Sequence, residues 1–186
     1  KPLKEEAMRR LMTMLCLAAL AAGGVLHAGD NPEDKAAAAV AKPAVPSKLD
    51  VNKKLAGDWV QVGEDGKPTD KVVATYRLTA GGSAVEETLF RGTHHEMITI
   101  YHMDGDDLVL THYCVTGNQP RMKAEKQTGN TLVFKCAGGT NMKSENDDHM
   151  HRATIIFKDD DHVQSAWEEF KDGKNVMTAS LNLARK

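Results

Sequence analysis

Several things are scarce in this chain, and each scarcity narrows what it can be. An excess of one charge is missing: 24 Lys and Arg stand against 26 Asp and Glu, a formal net charge of −2. Without a basic stripe, a nucleic-acid partner is not expected. Cysteine is limited to three residues, and Cys16 lies in the N-terminal apolar run, which leaves Cys114 and Cys136 for the remainder. Long apolar runs are limited to one, Leu11 to Leu26. A helical membrane span needs about 20 such residues, so none is expected after this run. Helical periodicity is sparse beyond Leu55, and no internal repeat is evident.

The N-terminus has the order of a secretory leader. Arg9 and Arg10 precede the apolar run, and Leu26-His27-Ala28 supplies a small residue before Gly29. Positive charge, apolar core and small residue in that order describe an exported chain. Residues 1–28 are therefore expected to be a signal segment cleaved after Ala28, with residues 1–7 upstream of a start at Met8. The alternative is an uncleaved anchor. Cleavage would leave a periplasmic or secreted product. Residues 29–48 are mostly Ala, Pro, Lys and Asp and bury too little to offset chain entropy, which predicts a disordered linker. One folded domain is expected over 49–186.

What that domain has in abundance is period-two alternation punctuated by turns. Gly63-Glu-Asp-Gly66, Gly81-Gly82, Asp104-Gly105, Gly117-Asn118, Thr128-Gly-Asn130, Asp159-Asp-Asp161 and Asp172-Gly173 separate short runs rich in Val, Ile, Thr, Tyr and Phe. The spacing predicts about ten strands: 56–62, 71–79, 83–90, 95–103, 108–115, 120–127, 131–137, 150–158, 162–170 and 174–184. Hairpin-short connections favour an all-β, up-and-down antiparallel barrel, which removes exposed edges. The long connection from Ala137 to Asp148 reads as a lid or mouth loop. A turn at Asp104-Gly105 would pair Met103 with Asp106 and set Thr99 opposite Leu110.

Alternation also places polar residues on the apolar parity: Glu87, Thr99, Tyr101, His112, His149 and His151. Buried polar groups need partners or a function. His112-x-Cys114 and His149-x-His151 would each present two side chains to one face. Together these four make a candidate Zn or Cu set, since imidazole and thiolate suit both ions. Glu87, Thr99, Tyr101, Arg121 and Trp167 are the candidate contacts for a small, partly apolar ligand. A second reading makes Glu87, His112 and Cys114 an acid–base or nucleophilic group, although no oxyanion loop is recognisable. A third makes the chain a structural envelope protein whose barrel is filled by its own side chains. Cys114 and Cys136 share inward parities but sit on strands separated by 120–127, about 9.5 Å apart. A disulfide wants Cα atoms within about 7 Å, so pairing would need a bulge or bend near Gly117 to Pro120, and it stays open.

The strings Thr111-His-Tyr-Cys114, Asn118-Gln-Pro-Arg-Met122 and His149-Met-His151, with Gly82-Ser-Ala-Val-Glu-Glu87 before and Ser165-Ala-Trp167 after, resemble a family of small exported bacterial proteins. That resemblance implies no activity. Leu55-Ala-Gly-Asp-Trp59 resembles the opening strand of calycin-type barrels such as lipocalins, fatty-acid-binding proteins and nitrobindins. It implies a Trp59 that plugs the barrel base. Zinc-binding periplasmic proteins of similar architecture are in keeping with a metal at the His/Cys set, but fold likeness alone does not establish function.

Overall fold

The computed structural model describes residues 47–125 and 127–186. The expected leader, nearly all of the expected linker and Lys126 lie outside the described residues. A one-turn helix, α1 (Asp50–Lys53), precedes ten strands: β1 (Gly57–Val62), β2 (Pro68–Thr79), β3 (Ala84–Leu89), β4 (Met97–Asp104), β5 (Asp107–Tyr113), β6 (Gln119–Ala124), β7 (Thr131–Thr140), β8 (His149–Phe157), β9 (His162–Lys171) and β10 (Lys174–Arg185). Each strand pairs antiparallel with the next in sequence, and β1 closes on β10. The architecture is thus a closed ten-stranded up-and-down barrel, consistent with a calycin-like fold. Among the described residues no helix is long and apolar enough to cross a membrane.

Alternation produces this wall. In β5, Leu108, Leu110 and His112 are buried while Tyr113 is exposed. In β6, Met122 is buried between exposed Arg121 and Lys123. Side chains two apart on a strand share a face, so each strand gives one column to the interior. The columns align in rows. Val85, Tyr101, Leu110, Met122 and Cys136 stand opposite one another across β3 to β7. Tyr101 and Phe134 meet edge to face, 5.7 Å between centroids.

One register differs from expectation. Asp104 pairs with Asp107, so Gly105 and Asp106 form the two-residue loop, and Thr99 stands opposite His112 instead of Leu110. Gly105 has φ +59°, which a glycine adopts without strain, and the tight turn forms around it. The slip is two residues, so every side chain keeps its face. The long connection is shorter than expected because β7 runs on to Thr140, leaving residues 141–148 as the loop.

The barrel has two different ends, fixed by strand direction. At the base lie the start of β1 and the end of β10. Leu49, Leu55 and Trp59 are buried there. The Trp59 Nε1 donates to the Leu55 carbonyl at 2.7 Å. The Arg185 guanidinium lies 4.5 Å above the Trp59 ring and donates to the carbonyls of Lys54 and Ala56 at 3.0 Å each. Trp59 thus fills the base and the last strand is tied to the entry of the first. At the opposite end, the mouth, lie the ends of β3, β5, β7 and β9.

Trp59→Ala should remove the plug and destabilise the fold by about 3–5 kcal/mol, the usual cost of emptying a buried aromatic site. The check is a urea unfolding curve: the midpoint should fall with the slope unchanged. A midpoint within error of the parent would show that Trp59 does not close the base.

Candidate functional site

Two polar groups occupy the interior. The first is a cross-strand row. Tyr76, Glu87, Thr99 and His112 stand directly opposite one another on β2, β3, β4 and β5. All four are buried. The Tyr76 hydroxyl donates to Glu87 Oε1 at 2.5 Å, and the Tyr101 hydroxyl donates to Oε2 at 2.8 Å. The Thr99 hydroxyl lies 3.0 Å from His112 Nδ1. His112 packs on Trp167 from across the barrel, 4.7 Å between ring centroids.

Burial raises the Glu87 carboxyl above its ordinary range, against the opposing pull of the Tyr76, Tyr101 and Thr99 hydroxyls. Burial, then the charge of Glu87, holds both tyrosines well above the usual phenol value. Burial lowers His112 to about 4, so it is a neutral imidazole at ordinary pH. Its Nε2 has no hydrogen-bond partner among the described residues, and neither has Ser165 Oγ.

The second group gathers at the mouth. The ligating atoms of Cys136, His149 and His151 all lie within 4.8 Å of one another. Cys136 comes from β7 and both histidines from the start of β8. His149 is buried, and Cys136 and His151 are half-buried. His149 Nε2 lies 3.0 Å from His151 Nδ1. His149 Nδ1 lies 2.7 Å from the carbonyl of Asp147. A carbonyl can only accept, so Nδ1 carries the hydrogen and the Nε2 lone pair points at His151. Phe170 stacks on His151 at 4.4 Å. Burial, with His149 next in effect, lowers the His151 imidazole below its ordinary value. Burial also pushes the Cys136 thiol up.

The loop 141–148 fixes this group from outside. The Asn118 side-chain amide donates to the Asp148 carbonyl at 2.6 Å. Lys171 pairs with the Asp148 carboxylate at 2.9 Å, and the Asp172 N–H donates to the Asn146 carbonyl at 2.9 Å. Backbone on either side of Asp147 is therefore held before the chain enters β8.

The residues singled out in the sequence thus fall into three places. Glu87, Thr99 and His112 join one row, with Tyr101 bonded to Glu87 from the neighbouring row and Trp167 against the row's end. His149 and His151 join the mouth group, where the third member is Cys136. Arg121 lies on the outer face, its guanidinium 2.6 Å from Asp104, away from the interior set. Cys114 and Cys136 are both free thiols. Met122 stands opposite both Leu110 and Cys136, so Cys114, four residues beyond Leu110, is out of step with Cys136 as well as two strands away. Sequence reading passed over Cys136 as a ligand, although its inward parity was visible. Four clefts lie on the barrel's outside and base, and none is lined by Glu87, Thr99, Tyr101, His112 or Trp167.

A histidine held at about 4 in the fold and near 6.5 when unfolded binds its proton more readily in the unfolded chain. Stability from His112 is therefore complete above pH 6.5 and is lost as pH falls toward 4, by about 3 kcal/mol in all. Denaturant midpoints measured from pH 7 to 4 should show this loss in the parent and lack it in His112→Gln. An identical pH dependence in the two proteins would refute the assignment.

Comparison with known protein families finds no model that matches the chain, and comparison with curated proteins finds no match either.

Proposed function

We propose that this barrel is a binding module for one transition-metal ion of the zinc or copper class, held at its mouth by Cys136, His149 and His151. The convergence of one sulfur and two nitrogens within 4.8 Å carries the reading. Bonds of about 2.0–2.1 Å to nitrogen and about 2.3 Å to sulfur require ligand atoms roughly 3–4 Å apart. The 3.0 Å between the two imidazole nitrogens is close to that demand. The ion would take the place of the hydrogen that now lies between them. Two imidazoles and one thiolate suit zinc with an open fourth position, or trigonal copper.

The surroundings fit a ligand set. Metal-bound histidines commonly donate their other N–H to a carbonyl, which fixes ring orientation, and His149 does so to Asp147. A raised Cys136 thiol gives up its proton when a cation binds, so uptake would release a proton. The N-terminal sequence supports a site of action outside the cytoplasm, in the periplasm or secreted medium.

A small apolar ligand inside the barrel has less support. Glu87, Tyr76 and Tyr101 bond to one another, Thr99 lies against His112, and Trp167 lies on His112. This part of the interior is filled by the protein itself. Catalysis by His112 with Cys114 lacks comparable support, because His112 is engaged by Thr99 and Trp167.

Titration of the purified full chain with Zn(II), and with Co(II) as a spectroscopic stand-in, should show one equivalent bound with a sulfur-to-metal charge-transfer band. Cys136→Ser should abolish the band, and Cys114→Ser should leave it intact. Asn118→Ala, which frees the backbone before His149, should weaken binding by about 10–100-fold, the usual effect of a supporting residue. A parent that takes up no Zn(II), Co(II) or Cu(I), or a Cys136→Ser variant that binds as well as the parent, would sink the proposal.

A further inference from the structure

Strand β10 is longer than the strand that closes the barrel against it. β9 pairs along it from Lys174 to Ala184. β1 pairs with it only at Leu183, Ala184 and Arg185. Among the described residues, the β1 side of β10 therefore has no strand partner from Lys174 to Asn182. Exposure agrees: all seven residues from Lys174 to Ser180 are exposed, on both faces. Val176 and Met177 are 55% and 45% exposed, two of the largest exposed apolar side chains.

A free strand edge offers a row of N–H and C=O groups to another strand, and proteins usually blunt such edges with charge, proline or a bulge. The stretch from Asn175 to Leu183 holds no charged residue, no proline and no glycine. One bulge is present, a register shift against β9 between Asn175 and Met177. It limits the regular edge to Met177–Asn182 and does not close it.

We infer that this edge pairs antiparallel with the same edge of a second copy of the chain, so that the sheet runs on from one barrel into the other. A two-fold contact sets each residue against its counterpart. With the axis at Ala179, Met177 meets Leu181 and Thr178 meets Ser180, apolar on apolar and hydroxyl on hydroxyl. Both kinds of cross-strand pair are favourable. No like charges face each other, because Lys174 stays outside the paired stretch. The ladder is only about five residues per copy, so association depends on concentration. The inference stands apart from the metal reading, since it uses none of the proposed ligands.

The test is sedimentation equilibrium of the full chain over a wide concentration range, with amide hydrogen exchange followed at both extremes. A monomer–dimer equilibrium is expected, with those 177–181 amides that point away from β9, alternate residues of the strand, protected only at high concentration. Thr178→Lys with Ser180→Lys should abolish the dimer while circular dichroism and melting stay as in the parent. Thr178→Lys with Ser180→Glu should restore it, because the pairing sets each substituted position against the other. A chain that is monomeric throughout, or a dimer that survives the double lysine variant, overturns the inference. So does protection of these amides in a monomer at every dilution, which would mean that another segment of the same chain covers the edge.

Discussion

The interaction on which the interior depends is the buried carboxyl of Glu87 between two tyrosine hydroxyls. A carboxyl inside a sheet-lined space has lost its water and needs donors in return. Tyr76 arrives from β2 and Tyr101 from β4, one to each oxygen. Losing one of these hydrogen bonds would leave its buried partner stranded, at a cost of about 1–3 kcal/mol. The arrangement therefore fixes register. A one-residue slip of β2 or β4 against β3 would carry a hydroxyl to the outer face. Apolar packing alone would tolerate such a slip far better than this row does. Thr99 and His112 continue the row, and Trp167 caps it from the opposite wall. Four consecutive strands and one facing strand are thereby held in a single setting.

The two ends of the barrel divide the remaining tasks. At the base, α1, Trp59 and Arg185 seal the interior and lock the last strand to the first. At the mouth, the loop 141–148 and the starts of β8 and β10 carry the features that are not explained by closure alone. The free edge of β10 and the Cys136–His149–His151 group both lie there. Neither is needed to fill the core. Among the described residues β10 has backbone there without a strand partner, and the cluster has three ligand atoms within 4.8 Å of one another. Features of this kind suit contact with something outside the fold.

The wall of the barrel was legible in the sequence because alternation and turn chemistry are local. Ten runs of period two with Gly, Asn and Asp between them specify ten strands with short hairpins, and closure follows from the need to hide edges. Side-chain faces were legible for the same reason. The β4–β5 register was not, because either Asp104-Gly105 or Gly105-Asp106 satisfies the sequence, and only the cross-strand packing of Thr99 on His112 and Tyr101 on Leu110 separates them. Arg121 shows a similar limit. Expected as a ligand contact, it lies outside because its neighbour Met122 points inward, and the Asp104 carboxylate that engages it is seventeen residues earlier and is brought near only by folding.

The mouth cluster was half legible, and the missing half has a physical cause. His149 and His151 are two apart on one strand, a relation that sequence displays. Cys136 reaches them through irregular pairing. Between Pro120–Gly139 and Met122–Cys136 the β6–β7 register shifts, with Gly138 at φ +105°. Between Met150 and Arg152 the β8–β9 register shifts as well. Each bulge inserts a residue, bends its strand and re-aims the side chains beside it. Cys136 and the two histidines lie in the angle between these two bends. The pair His112 and Cys114 sits on β5 and its exit, where no bulge intervenes, and His112 remains committed to Thr99 and Trp167. A regular barrel would have spread its histidines and cysteines along separate columns. The two bulges draw three of them together, and this is why the mouth, instead of the evenly packed middle, is the place where one sulfur and two imidazoles converge.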